Sequence, residues 1–175
     1  TIGIIACEFA TLPLIHRHPT MTTQATLQTR PLLSFDSWPP SETDLPRVAA
    51  GVYAIYKGSR LYYVGMAGKN LTPELIESAE PNKSKGLRQR LEAHRSGRRS
   101  GDQFCVYVAD HEIIPNLTPA QQRAIGRREL HVDHLVRDFI RAELKFRLAQ
   151  TPDGKSALAL ERELIAGGLG EVPEL

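Results

Sequence analysis

Two short runs near residue 50 set the apolar rhythm of this chain. GVYAIY (51–56) and YYVG (62–65) are rich in aromatic and β-branched residues, and each sets a tyrosine two positions from a glycine. Between them lies KGSR, a glycine-containing loop of hairpin length, so the pattern predicts two adjacent antiparallel strands. Residues 66–84 are polar and read as a loop. KGLRQRLEAHRSG then places Leu87 and Leu91 on one face of a short helix, with Gly97 as its stop. FCVYVADHEII (104–114) reads as an added strand. From Thr118, TPAQQRAIGRRELHVDHLVRDFI carries a cap and a proline in its first turn and predicts a long helix with Gly126 as its weak point. ELKFRLAQT alternates like a half-buried strand, PDG turns, and KSALALERELIAGG predicts a last helix ended by glycines. The order β-β-α-β-α-β-α describes an α+β fold, a small antiparallel sheet flanked by helices.

Composition adds bounds. With 175 residues, 41% apolar and 24% charged, the chain can bury a core as one globular domain. SWPPSETDLPR (37–47) is polar and proline-rich, so residues 1–46 read as an extension and an irregular arm, and 47–175 as the domain. The opening TIGIIACEFATLPLI is apolar, but Glu8 interrupts it, it is too short to span a bilayer, and no signal-peptide pattern accompanies it. Because Met21 follows, residues 1–20 are expected to have no role in the fold. Cys7 and Cys105 stand far apart outside any CxxC spacing, which argues against a disulfide framework or zinc ribbon and fits a reducing, cytoplasmic setting with no membrane partner. The net charge of +2 hides an uneven distribution, because Lys83, Lys85, Arg88, Arg90, Arg95, Arg98 and Arg99 face the single acid Glu92 between residues 83 and 99. That excess suits a polyanion, and a solvated basic face is the plain alternative.

Three constellations could carry chemistry. Tyr53 and Tyr63 can share one sheet surface, whether as packed aromatics or as a functional pair. Arg90 and His94, four apart on a helix, set a fixed cation beside a group that titrates near neutral pH, as phosphoryl chemistry requires. Glu161 has Ala157, Leu158, Leu164 and Ile165 as helical neighbours. A carboxylate in such a stripe needs compensation, from a buried arginine or from a metal ion at the rim of the core.

GVY with YVG, then Arg90 and His94 on the next helix, then Glu161 in an E-x-x-L-I helix after a strand, resemble the GIY-YIG nuclease superfamily over about residues 50–175, in a layout closest to its compact restriction-endonuclease-like members. The resemblance implies a metal-dependent DNA endonuclease that hydrolyses phosphodiester bonds. Its catalytic residues would be Tyr53, Tyr63, Arg90, His94 and Glu161, with Glu161 holding Mg²⁺ or Mn²⁺. Tyr53 would position or deprotonate the attacking water, its pKa lowered by Arg90 and the metal, and the glycines would let the backbone turn near a phosphate. DNA would be held by Lys69, Lys83, Lys85, Arg88, Arg95, Arg98 and Arg99. Met66 stands where the family often has a lysine, and the asparagine that commonly follows the glutamate helix is not found before VPEL. Restriction, repair, mobile-element and effector roles fit this core equally. Two rival readings are a non-cleaving nucleic-acid binder on the same basic helix and a zinc hydrolase built from His131, His134 and Asp138.

Overall fold

The computed structural model describes residues 27–80 and 82–175, so the expectations for residues 1–20 and Cys7 lie outside the described residues. The sheet is built from β1 (Leu33–Ser34), β2 (Val48–Lys57), β3 (Arg60–Ala67) and β5 (Leu144–Thr151) in the spatial order β1-β5-β2-β3, all antiparallel. A two-residue strand, β4 (Lys85–Gly86), runs parallel to the start of β2. Gly58 and Ser59 close the β2–β3 hairpin at the expected place, with Gly58 at φ 62°. The helices are α1 (Pro73–Glu77), α2 (Leu87–Ser96), α3 (Gln103–Val108), α4 (Pro119–Gly126), α5 (Val132–Glu143) and α6 (Gly154–Glu163). The molecule is therefore α+β, with a small antiparallel sheet flanked by helices.

Each face of the sheet covers its own apolar cluster. On one, Tyr53, Ile55, Tyr62, Phe146 and Leu148 pack against Leu87 and Leu91 of α2, Phe104 and Cys105 of α3, and Val136 and Ile140 of α5. On the other, Val52, Ala54, Leu61, Val64 and Ala149 meet Leu160 and Leu164 at the end of α6. The β2–β3 register slips between Ile55 and Tyr56, because Ile55 faces Tyr63 whereas Tyr56 faces Leu61. Tyr62 is the extra residue of a β-bulge. Strict alternation would place Tyr62 and Tyr63 on opposite faces; the bulge lets both join the face that holds Tyr53.

Several expectations are corrected here. Residues 104–114 are not a strand: α3 runs into a π-helical turn, Ala109–Ile113, because Asp102 caps its first turn and Phe104, Cys105 and Val108 are buried at helical spacing. The helix from Thr118 does break at its expected weak point: α4, with the capping box Thr118/Gln121, ends at Gly126, and α5 begins beyond residues 127–131. The stretch 66–84 is not all loop, since β3 continues to Ala67 and Thr72 caps α1. The arm is part of the core where it is described: β1 pairs with β5, and Phe35 and Leu45 are fully buried. Its irregular course hid that role, because two apolar anchors in a polar, proline-rich stretch make no periodic pattern.

Two glycines aim α2. Gly86 (φ 71°) lies so close to the Ala49 carbonyl that a side chain there would collide with it, which seats the start of α2 on β2. Gly97 (φ 72°) ends the helix in the left-handed conformation, against the backbone of Arg137 in α5.

Candidate active site

Tyr53 (β2), Tyr63 (β3), Arg90 and His94 (α2) and Glu161 (α6) come together on the β3 side of the sheet. The Tyr53 and Tyr63 rings lie 6.3 Å apart, and the His94 ring is 5.4 Å from that of Tyr53. His94 is one helical turn from Arg90, which places the buried imidazole below the exposed guanidinium. The His94 Nε2 is 2.8 Å from the Tyr53 hydroxyl, and its Nδ1 is 2.6 Å from Asp102 Oδ2. Asp102 Oδ1 accepts the Phe104 N–H at 3.1 Å.

Burial governs the titration of this group. It pushes the Tyr53 phenol well above its ordinary value, with Tyr63, Asp102 and Glu161 adding to the rise and Arg90 opposing it. Arg90 lowers the value as expected, but burial outweighs it: one solvent-exposed cation does not offset full desolvation. Tyr63 also moves up, by burial and then by the Glu161 charge. His94 moves down, because burial outweighs the stabilising Asp102, so the imidazole is neutral at neutral pH. Burial works against the ionised Asp102 as well, but the hydrogen bond and charge of His94 and the charge of Arg90 prevail and hold it below the usual carboxylate range.

Glu161 is half-buried at the rim of the core. Ala157 and Leu164 beside it are fully buried while Ile165 is exposed, so the stripe is less enclosed than its residues suggest. Among the described residues no ion pair reaches its carboxylate, which removes the buried-arginine alternative. Burial raises its pKa, and the Met66 backbone N–H, at the edge strand of the sheet, opposes the rise. An oxygen donor of this kind, in no ion pair among the described residues, felt only weakly by Arg162 and near the surface, suits a hard divalent ion.

The glycines act differently from expectation. Neither Gly51 nor Gly65 has a positive φ, so they do not turn the chain. A side chain at Gly65 would collide with the Tyr53 hydroxyl and lie 2.9 Å from Tyr63 Cε1, so this glycine makes room for the two phenols. Gly51 makes room for the Ala149 carbonyl and Leu87.

The basic residues divide. Lys69, Lys83, Lys85 and Arg90 line an open cleft of about 990 Å³ with no acidic residue in its wall among the described residues, and Lys83 is paired with Glu80 at 3.0 Å. Arg88, by contrast, is 8% exposed and donates to the Leu45 carbonyl, so its assignment to DNA contact is corrected to a structural tie between α2 and the arm. Arg95 is similarly engaged, donating to the Phe35 carbonyl at 2.7 Å, and Arg99 pairs with Asp133 of α5 at 2.7 Å. Arg98 is exposed outside the cleft.

Asp102 is a site residue that the sequence pattern hides. Its signal is the cap position in SGDQF, which the strand-like pattern of residues 104–114 masks. His94, Asp102 and Cys105 bring ligand atoms within 4.8 Å of one another. They are a hydrogen-bonded group instead of a metal centre: both His94 nitrogens and both Asp102 oxygens are engaged, and burial keeps the Cys105 thiol protonated, donating to the His94 carbonyl at 3.4 Å. The His131 and His134 rings meet edge to face at 5.4 Å, but Asp138 pairs with Arg137 and the three form no ligand cluster among the described residues, which corrects the zinc reading. No helix among the described residues is long and apolar enough to cross a membrane. Comparisons with protein-family models, curated proteins and solved structures gave no match.

Proposed function

We propose that this chain is a metal-dependent DNA endonuclease of the GIY-YIG kind. The observation that carries the reading is the 2.8 Å contact between Tyr53 and His94, two residues 41 positions apart, made beside an unpaired carboxylate and a cleft walled by cations. A tyrosine with a hydrogen-bonded base can pass on a proton, and a lone carboxylate at the rim can hold a cation that a phosphate completes.

Glu161 is the side chain that would hold Mg²⁺ or Mn²⁺, which when bound polarises a phosphoryl oxygen as a Lewis acid. Lys69, Lys83 and Lys85 run the DNA backbone along the cleft toward Arg90, and Arg90 offsets the charge that grows on the phosphate in the transition state. Tyr53 is 2% exposed, so the attacking water has to displace neighbouring side chains to reach its hydroxyl. As its oxygen bonds to phosphorus, its proton passes to the Tyr53 oxygen while the Tyr53 proton passes to His94 Nε2. The bond to the leaving oxygen breaks with its electron pair staying on that oxygen, which takes a proton from solvent, and His94 afterwards returns its proton to solvent. A buried phenol need never become a free phenolate in this sequence, so its raised pKa is compatible with the role. Tyr63 completes the wall that orients the water.

Nicking of supercoiled plasmid tests the proposal, with Mg²⁺ or Mn²⁺ and with chelator. Wild type is expected to nick only with metal, and Glu161→Gln to lose nicking while its melting temperature is maintained or raised, since an uncompensated half-buried charge is removed. Nicking by Glu161→Gln at the wild-type rate, or by wild type in chelator, overturns the reading.

A further inference from the structure

We infer that Asp102 is a positioning residue that holds His94 as its Nδ1–H tautomer and thereby aims the Nε2 lone pair at the Tyr53 hydroxyl. Its catalytic consequence rests on the nuclease reading above; the tautomer itself does not.

The argument is one of donors and acceptors. An ionised carboxylate only accepts, a neutral imidazole has one N–H, and a phenol has one O–H. Asp102 Oδ2, at 2.6 Å, therefore claims the imidazole proton at Nδ1. Nε2 is left as an acceptor, and the Tyr53 hydroxyl 2.8 Å away has to be the donor. The direction of proton transfer, from tyrosine to histidine, is set by a residue that touches neither substrate nor water. Asp102 is itself immobilised, because its other oxygen accepts the Phe104 N–H at 3.1 Å as the N-cap of α3. Rotating the carboxylate would break one bond or the other.

No other group can set the tautomer. Tyr53 faces His94 from β2, and Tyr63 from β3 with its ring 6.3 Å away. Phe104 of α3 packs on the imidazole at 4.6 Å, and Cys105 bonds the His94 carbonyl and not the ring. Arg90, on the same helix, is a cation and cannot accept.

Two measurements on the full chain test this: long-range ¹H–¹⁵N imidazole spectra, which read the tautomer directly, and plasmid nicking against pH with Mg²⁺ present. Asp102→Asn is the first variant, since asparagine also caps a helix. Asp102→Ser, with a capping hydroxyl but nothing that reaches Nδ1, is the second should the first not fold. Wild type is expected to show His94 protonated at Nδ1, and the variants to lose that preference and to turn over ~10²-fold slower or worse. The acid limb of the rate should also move to lower pH in the variants, because removing the carboxylate makes His94 harder to protonate; a purely structural defect would lower the rate without moving the limb. A wild-type Nε2–H tautomer, or a variant with unchanged tautomer, rate and limb, overturns the inference alone. A wild type that never nicks DNA overturns the nuclease reading and the catalytic consequence with it, while the spectra still decide whether Asp102 sets the tautomer.

Discussion

Gly65 is the residue on which the geometry around Tyr53 turns. A methyl group there would meet Tyr53 Cζ at 2.7 Å and Tyr63 Cε1 at 2.9 Å, so both rings would have to shift. Gly65→Ala is expected to melt lower, since Gly65 is buried, and to lower nicking on the order of 10²-fold, the effect of about 1 Å of misplacement in an acting group. Plasmid nicking and a melting curve check this, and unchanged nicking would show that the glycine has no part in placing the phenol. The glycine beside the second tyrosine was legible in the sequence, but its reason was not: spacing reveals that a position is small, and only the neighbours reveal what the space admits. Arg88 and Arg90 make the same point. Two positions apart on a helix they point to different sides, one under the arm and the other into the cleft, yet a charge count treats them alike.

At the scale of elements, the Asp102–His94 bond ties the cap of α3 to α2, and it makes the pair of helices sensitive to acid. Burial holds His94 below its ordinary value of about 6.5, so the unfolded chain takes up the proton first. Stability from this group is complete above the unfolded value and is lost as pH falls toward the folded one. Asp102, also held low, adds loss in the same direction at still lower pH. Melting temperatures from pH 8 to pH 5 are expected to fall more steeply for wild type than for His94→Gln, and equal slopes would contradict the assignment. The hairpin, α2, β5 and α6 were readable because each has its own period and its own stop. The region 104–114 was not, because FCVYV is apolar without a break and its helical state depends on a cap at Asp102 and on burial against the sheet. Nor was the bulge at Tyr62, because one inserted residue leaves the composition of β3 unchanged while moving Tyr63 to the other face. Tyr53 and Tyr63 do share one sheet face, through a device the alternation did not contain.

For the whole molecule, the division of the basic residues predicts how binding responds to salt. Lys69, Lys83, Lys85 and Arg90 line the cleft. If each meets one phosphate, the logarithm of the duplex affinity should fall against the logarithm of salt concentration with a slope of roughly −3.6, and each Lys→Ala change should flatten it by about 0.9. Arg88→Ala should leave the slope alone and lower stability instead, because it strips the Leu45 carbonyl of its donor. Fluorescence anisotropy with a short duplex, in chelator to prevent cleavage, gives the slopes; a slope that responds to Arg88 and not to the lysines would relocate the DNA.

The place of β2 in the sheet has a consequence in time. Both of its edges are paired, to β3 and to β5, whereas Met66 lies on an outer strand and offers its N–H to a side chain. Amide exchange at Tyr53 should therefore wait for an opening close to global unfolding, and exchange at Met66 should need only a local one, orders of magnitude more frequent. The proton-handling half of the site would then keep its shape between encounters, while the acidic half breathes and can adjust its reach as an ion and a phosphate arrive together.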